Sequence, residues 1–357
     1  MTVSARQMRL SGKVWVFIME QVRVQDAVGM VLCHDITEIV PGVVKDAAFR
    51  KGHIIREEDI EKLLNLGKAH IYVYNLEEGY VHENDAAARM VKAACGVGLR
   101  QSEVKEGKIN LYAEYRGVLK INLEALYAVT ENPEICFATI HGNKVIEEGT
   151  MVAGTRVIPL VVKEETLEQF EKVCQEMGPI IQVLPMKAAK IGMVTTGSEI
   201  QSGRIEDKFG PILQKKAKDL GCEIVGQVFP GDDREAITKA VLDFIDQGVD
   251  MVEVTGGMSV DPDDRTPAAI RDCGGEIVTY GAPVLPGAMF MLSYVKGIPV
   301  VGLPGCVMYA KRTVYDLIVP RILTGEKLTR RDFTHLAHGG QCQNCKVCVY
   351  PNCGFGE

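Results

Sequence analysis

Between residues 189 and 323, short apolar runs alternate with amphipathic segments of helical period, and no other regularity in the chain restricts its fold as tightly. AKIGMVTT, EIVGQVF, VDMVEVT and EIVTYG read as strands, rich in β-branched residues and bounded by turns. PILQKKAKDLG and DDREAITKAVLDFIDQG place apolar residues at helical spacing and end at glycine, and TPAAIRDCGG is a shorter version. AMFMLSYVKGIPVVGLPG reads as a hairpin and 306–323 as a last helix. Strands separated by helices return as parallel neighbours, so residues 186–326 are predicted to form an α/β domain with a doubly wound, mostly parallel sheet.

The rest of the chain is organised differently. Residues 20–80 hold short apolar runs cut by glycine turns, with EEDIEKLLNLG as one capped helix, and read as a small β-rich module. Residues 81–185 read as an α+β region: a helix over 83–100, strands INLYAEY, ICFATI and TRVIPLVV, then a charged helix ending at Gly178 that would carry the chain across to the α/β domain. Residues 327–357 form a cysteine-rich tail. The N-terminal stretch has an apolar run of only Val14 to Met19 and no small-residue cleavage site, so no export signal is read, and residues 1–18 look like an extension before a natural start at Met19.

Charge and hydropathy exclude some functions. The formal net charge is −7 with no long basic stripe, which argues against a nucleic-acid backbone as partner, and no apolar run reaches the roughly 18 residues that span a bilayer. Seven of the eleven cysteines are scattered, which is a cytoplasmic rather than a disulfide-stapled pattern.

In open parallel sheets, ligands collect outside the carboxyl ends of the strands, where loops present unpaired backbone amides. Four segments are expected at such ends: Thr195 through Glu199, then Gly231, Asp232 and Asp233, then residues 255–266, then Leu303, Pro304 and Gly305. In TGGMSVDPDDRTP, Gly256 and Gly257 permit close backbone approach, Ser259 and Thr266 offer hydroxyls, and Asp261, Asp263 and Asp264 could hold a divalent cation. Helix capping by Asp263, Asp264 and Thr266 accounts for part of this composition, but it requires neither paired glycines nor three acids. Asp232 and Asp233 are equally open to a plain role at a helix N-terminus.

The succession TTGSEI, GRIED, LGCEIVGQVFPGDD, DMVEVTGGMSVDPDDRTP, VLPGAMF and PVVGLPG resembles the molybdopterin-binding domain of molybdenum-cofactor biosynthesis proteins. AVGMVLCHDITEIVPG and KGHIIREEDIEKLLNLGKAHIYV are similar to the start of the molybdopterin molybdenumtransferase branch, which inserts molybdate into adenylylated molybdopterin. The resemblance implies that Thr196, Gly197, Ser198 and Glu199 line the pterin-phosphate or nucleotide cleft, with Gly256, Gly257 and Ser259 as the family's glycine loop. It gives Pro286 and Gly287, and Pro304 and Gly305, as two proline-glycine turns. It further implies Asp264 as the catalytic or Mg²⁺-associated aspartate, Asp232 and Asp233 as an assisting pair, molybdate as substrate, and a homodimer. A divalent cation would offset the clustered negative charge of such a reaction.

Departures from that pattern bear on catalysis. Asp207, Lys208 and Phe209 stand where the family has an aspartate, a small polar residue and asparagine; Leu285 stands where a lysine often precedes the first proline-glycine turn; and the second turn continues with Cys306 and Val307. A noncatalytic carrier or sensor of the cofactor is therefore the competing expectation. Cys306 would sit at a helix start, where the dipole favours a thiolate, but simple packing is the first expectation for it.

The tail, HLAHGGQCQNCKVCVYPNCGFGE, spaces Cys342, Cys345, Cys348 and Cys353 as C-x2-C-x2-C-x4-C, with His335 and His338 nearby. Four soft ligands on a short loop suit Zn²⁺ or an iron-sulfur cluster, both of which stay open. A tail of this kind could dock a molybdoenzyme or redox partner, and a third expectation is an iron-sulfur electron carrier that reuses the fold.

Overall fold

The computed structural model describes residues 6–10, 13–17, 19–40, 44–74, 79–259, 261 and 264–356. Asp263, one of the expected metal carboxylates, lies outside them, as do residues 1–5, 11, 12 and 18 of the N-terminal stretch.

Near the N-terminus, Met19–Arg23 and Val31–Leu32 pair antiparallel with His70–Tyr74, and Ile36–Val40 pairs with Val44–Phe49. Leu32, Ile36, Ile55, Leu63 and Ile71 close the core beneath the short helix Asp59–Asn65. The following region carries an antiparallel sheet of Ile135–Thr139, Met151–Val157, Ile109–Ala113 and Leu99–Gln101. Its helix Glu83–Ala94 stops earlier than expected, because Gly96 and Gly98 follow and each glycine costs a helix about 1 kcal/mol. The charged helix Glu164–Met177 is no connector. Leu167, Phe170 and Cys174 form a stripe buried with Ala86, Ala87 and Met90, while Arg89 holds Glu171 at 2.8 and 3.0 Å and Glu164 at 2.5 Å. The chain then returns as Ile181–Pro185 against Gly117–Ile121 before it crosses over.

The second half is the α/β domain that the alternation predicts. Its elements are β1 (Lys190–Thr195), α1 (Phe209–Asp219), β2 (Glu223–Val228), α2 (Arg234–Asp246), β3 (Met251–Thr255), α3 (Thr266–Asp272), β4 (Glu276–Tyr280), β5 (Met291–Val295), β6 (Ile298–Leu303) and α4 (Val314–Leu323). The sheet order is β2-β1-β3-β6-β5-β4; the first four strands are parallel, and β5 and β4 add an antiparallel edge. Successive residues of β1 and β3 point alternately into two cores. Ile191, Met193 and Met251 meet α1 and α4 on one face, and Val194, Val252 and Val254 meet α2 and α3 on the other. Each such buried side chain contributes about 1.5–3 kcal/mol, which makes this sheet a rigid platform for its loops.

The expected last helix over 306–323 is split: Gly305–Met308 forms a single 3₁₀ turn, and α4 starts only after Thr313, which caps it together with Asp316. Pro320 lies inside α4 and has no N–H for the Asp316 carbonyl; the Tyr350 hydroxyl donates to that oxygen instead at 3.1 Å. The tail is thus seated on α4, with Phe355 buried in the same core.

Candidate functional site

Because β2, β1, β3 and β6 are parallel neighbours, the loops at their carboxyl ends lie side by side along one edge. Asp232 and Asp233 follow β2; Thr196, Gly197, Ser198 and Glu199 follow β1; Gly256, Gly257, Ser259 and Asp264 follow β3; Pro304 and Gly305 follow β6. Since β5 runs antiparallel to β6 and begins opposite its end, Pro286 and Gly287 reach the same edge. The chain leaves β1 toward β2 on one side and returns to β3 on the other, so the strand order reverses between β1 and β3, where ligands bind in open sheets.

Hydrogen bonds join the loops. The Ser198 amide donates to Asp232 Oδ2 at 2.7 Å, and the hydroxyls of Thr196 and Thr266, both buried, are 3.3 Å apart. A Cβ on Gly256, whose φ is +84°, would lie 2.6 Å from both the carbonyl oxygen and Oγ1 of Thr196; no other residue fits there without moving the β1 loop. Among the described residues, the amides of Gly197, Gly256, Gly257 and Gly305 donate to no acceptor inside the chain. Four such donors on three adjacent loops suit an anionic ligand.

The acids are committed elsewhere. Asp233 caps α2 by accepting from the Ala236 amide at 2.8 Å, and Asp264 Oδ2 faces the Asp261 amide at 3.4 Å. Among the described residues, no three His, Cys, Asp or Glu side chains are grouped so that they could hold a metal ion. Asp263, the third of the expected carboxylates, lies outside the described residues.

The two proline-glycine turns differ. A Cβ on Gly287 would strike Val314 Cγ1 at 2.6 Å, and the Val314 amide donates to Pro286 O at 3.2 Å, so this turn seats α4. Nothing lies within 4 Å of a Cβ on Gly305, which leaves that position open for a ligand. Burial pushes the Cys306 thiol up, and a single 3₁₀ turn offers little dipole, which agrees with packing rather than a thiolate there.

Asp207 accepts from the Phe209 and Gly210 amides, 2.8 and 3.1 Å, and so starts α1; its other contact is the Gln227 amide nitrogen, 2.6 Å away, which also donates to Thr195 Oγ1 at 2.9 Å. A side-chain amide thus enters this corner from β2, which sequence spacing did not reveal. Tyr280 was also missed: its hydroxyl donates to Met258 O at 3.1 Å, and burial, with help from Asp264, raises its phenol although Arg271 lies over the ring. The only signal was a tyrosine closing the strand EIVTY.

Beneath the rim, Glu253 in β3 is fully buried. Tyr315 donates to its Oε1 at 2.9 Å, its Oε2 has no hydrogen-bond partner, and burial pushes the carboxyl up to about 7 against the pull of Tyr315 and Lys216. A cavity of about 420 Å³ lies at the opposite edge of the sheet, between Lys187, Asp250, Glu276, Tyr294 and Lys327. Of its ionic groups Lys327 pairs with Glu276 at 2.9 Å and Glu326 pairs with Lys120 and Arg321, whereas the unpaired glycine amides point to the rim as the binding edge.

In the tail, Cys342 and Cys353 pack against the apolar core, while Cys345 and Cys348 are exposed. His335 is held by Arg331 at 3.2 Å. Among the described residues, the four thiols are not brought together as a group that could hold a metal ion.

Residues 192–324, which contain the whole rim, match a family described as a probable molybdopterin binding domain, and residues 21–75 match a domain of unknown function. A CinA-like protein of Mycolicibacterium vanbaalenii is 39% identical over 97 residues, 27% of this chain and 23% of that protein. The chain thus spans less than a quarter of the length of that curated relative. The molybdopterin biosynthesis enzyme MoaB of Thermus thermophilus aligns with 39% of this chain and 98% of its own at 18% identity and a TM-score of 0.33. The molybdopterin biosynthesis protein MoeA of Pyrococcus horikosii aligns with 86% of this chain and 75% of its own at 15% identity and a TM-score of 0.32. Among the described residues, no helix is long and apolar enough to cross a membrane.

Proposed function

We propose that the α/β domain binds a molybdopterin-type ligand, a pterin bearing a phosphate, along the carboxyl edge of its sheet, and that the chain handles this ligand in molybdenum-cofactor biosynthesis. The observation that carries the reading is the set of glycine amides at 197, 256, 257 and 305, which lack internal acceptors and straddle the point where the strand order reverses. Backbone donors bind phosphate without a surplus of positive side chains, in keeping with a chain of net charge −7. The match of residues 192–324 to the family described above supports the choice of pterin over other anions.

The arrangement favours binding and delivery over chemistry. Asp232 and Asp233 are engaged by amides, and Leu285 offers no cation where it stands exposed. Insertion of molybdate into adenylylated molybdopterin is the second reading. It is favoured by the order of motifs and would place Asp264 next to the reacting group.

Calorimetry of the full chain with purified molybdopterin tests the first reading: saturable binding at one site per chain is expected, and absence of heat refutes it. Incubation with adenylylated molybdopterin, molybdate and Mg²⁺ tests the second. Turnover that is lost in Asp264→Asn with binding retained would establish insertion, and absence of turnover in the parent chain would leave a carrier.

A further inference from the structure

The loop after β3 is fastened to the body of the domain at Met258. The Met258 side chain is buried, and a Cβ on Gly302 of β6 would come 2.6 Å from its Cε and 2.7 Å from its Sδ, so it fills a slot that this glycine leaves open. Its carbonyl is held from the side. Tyr280, the last residue of β4, points its hydroxyl at Met258 O, 3.1 Å away, and at Ser259 O, 3.4 Å away. Arg271 of α3 lies over the same ring, 5.5 Å from its centroid, and keeps it in place. One residue earlier, the Thr266 amide donates to Gly257 O at 3.3 Å.

In a trans peptide the carbonyl and the N–H that follows it point in opposite directions. Holding Gly257 O at Thr266 and Met258 O at Tyr280 therefore turns the Met258 and Ser259 N–H groups away from those partners. Among the described residues neither amide donates to an acceptor inside the chain, and the same is true of Gly256 and Gly257. Successive N–H groups left without acceptors form a concavity that suits an anion. Ser259 is exposed, so the last of the four is within reach of a ligand. Without the Tyr280 hydroxyl the Met258–Ser259 peptide is free to turn, and the Ser259 N–H loses its aim.

We propose that Tyr280 is a positioning residue for the ligand's phosphate: by holding the Met258 carbonyl it aims the Ser259 N–H, together with those of Gly256, Gly257 and Met258, at one phosphate group seated on the loop after β3. The proposal rests on the pterin reading and deepens it, because it assigns the phosphate rather than the ring to this loop. It requires no metal and no charged side chain, since the donors are backbone amides and Tyr280 touches the loop, not the ligand.

Calorimetric titration of the full chain with molybdopterin and with dephosphorylated molybdopterin tests it. The parent should bind the phosphorylated form about tenfold or more tightly than the other. Tyr280→Phe removes one oxygen and keeps the ring under Arg271; it should lose about tenfold in affinity for molybdopterin and stay within about twofold for the dephosphorylated form. A residue that merely stabilised the fold would lower both affinities together. The ¹⁵N-labelled parent gives a second readout that no variant's folding affects: the Ser259 amide resonance should shift on addition of molybdopterin and hold still with the dephosphorylated form. Equal losses for the two ligands, unchanged affinity in Tyr280→Phe, or a Ser259 resonance indifferent to the phosphate would overturn the inference. A parent that binds both forms alike overturns it and leaves the pterin reading standing, whereas a parent that binds neither removes that reading and this inference with it.

Discussion

Replacing Gly256 by alanine probes the rim at its most constrained point. At φ +84° an L-residue pays about 1–2 kcal/mol in backbone strain. The new methyl would also stand 2.6 Å from two oxygens of Thr196, one of them backbone, and relief requires a shift of the β1 loop; overpacking of this kind costs about 1–3 kcal/mol. The two effects together predict a loss of about 2–5 kcal/mol, a fall in melting temperature of roughly 6–15 °C at about 3 °C per kcal/mol. Gly305→Ala is the internal control. It has open space around the added methyl and an ordinary φ, so its stability should stay within about 0.5 kcal/mol of the parent, while pterin affinity falls about tenfold if the ligand approaches there. Thermal scans by far-ultraviolet circular dichroism and calorimetric titration read both quantities. A Gly256→Ala chain that melts with the parent, or a Gly305→Ala chain as destabilised as Gly256→Ala, would show that the contact geometry is not what fixes these glycines.

Further outcomes follow from the buried charges. Glu253 has its folded pKa raised from 4.5 to about 7, so the stability it contributes is present below its unfolded pKa and is lost as pH rises through 7; Glu253→Gln should therefore gain on the parent between pH 5 and pH 8 by about 3 kcal/mol in urea denaturation, and a constant difference across that range would refute the assignment. Asp316→Ala removes the partner of Lys216 at 2.8 Å and of Arg312 at 2.8 Å together with the cap of α4, and should cost about 3–5 kcal/mol; a loss below 1 kcal/mol would mean that the pair is hydrated. Asp332 is held down at about 2, against the effect of burial, by the Thr329 amide and hydroxyl and by Arg321. Its contribution is present above an unfolded pKa near 3.8 and is lost on acidification toward 2, so Asp332→Asn should flatten the acid limb of the stability curve.

The alternation of apolar runs with helical segments was sufficient to specify the layers of the α/β domain, because a strand buried on both faces and an amphipathic crossover helix each leave a periodic trace. AKIGMVTT and VDMVEVT became adjacent parallel strands, and the hairpin in AMFMLSYVKGIPVVGLPG formed as expected. The glycines at 256 and 257 were legible because backbone constraint selects one residue type. Sequence reading erred where two readings share a composition. The segment 306–323 looks continuously helical, yet only the seating of Val314 against Gly287 fixes where α4 begins; the charged helix Glu164–Met177 looks like a connector, yet its apolar stripe docks on Glu83–Ala94.

What lay wholly beyond the sequence were relations between distant residues. Asp232 and Asp233 are acids in any reading, but whether their oxygens face solvent, a metal or an amide depends on loops that meet only after the sheet forms. The same holds for Gln227 reaching Asp207 and for Arg312 reaching the Tyr350 ring. Local pattern determined which segments become strands and helices and therefore which loops share an edge. Side-chain partnership across that edge, and the division of the tail thiols into two half-buried and two exposed, was decided by packing, since burial and hydrogen bonding are properties of the assembled surfaces and leave no periodic mark in the chain.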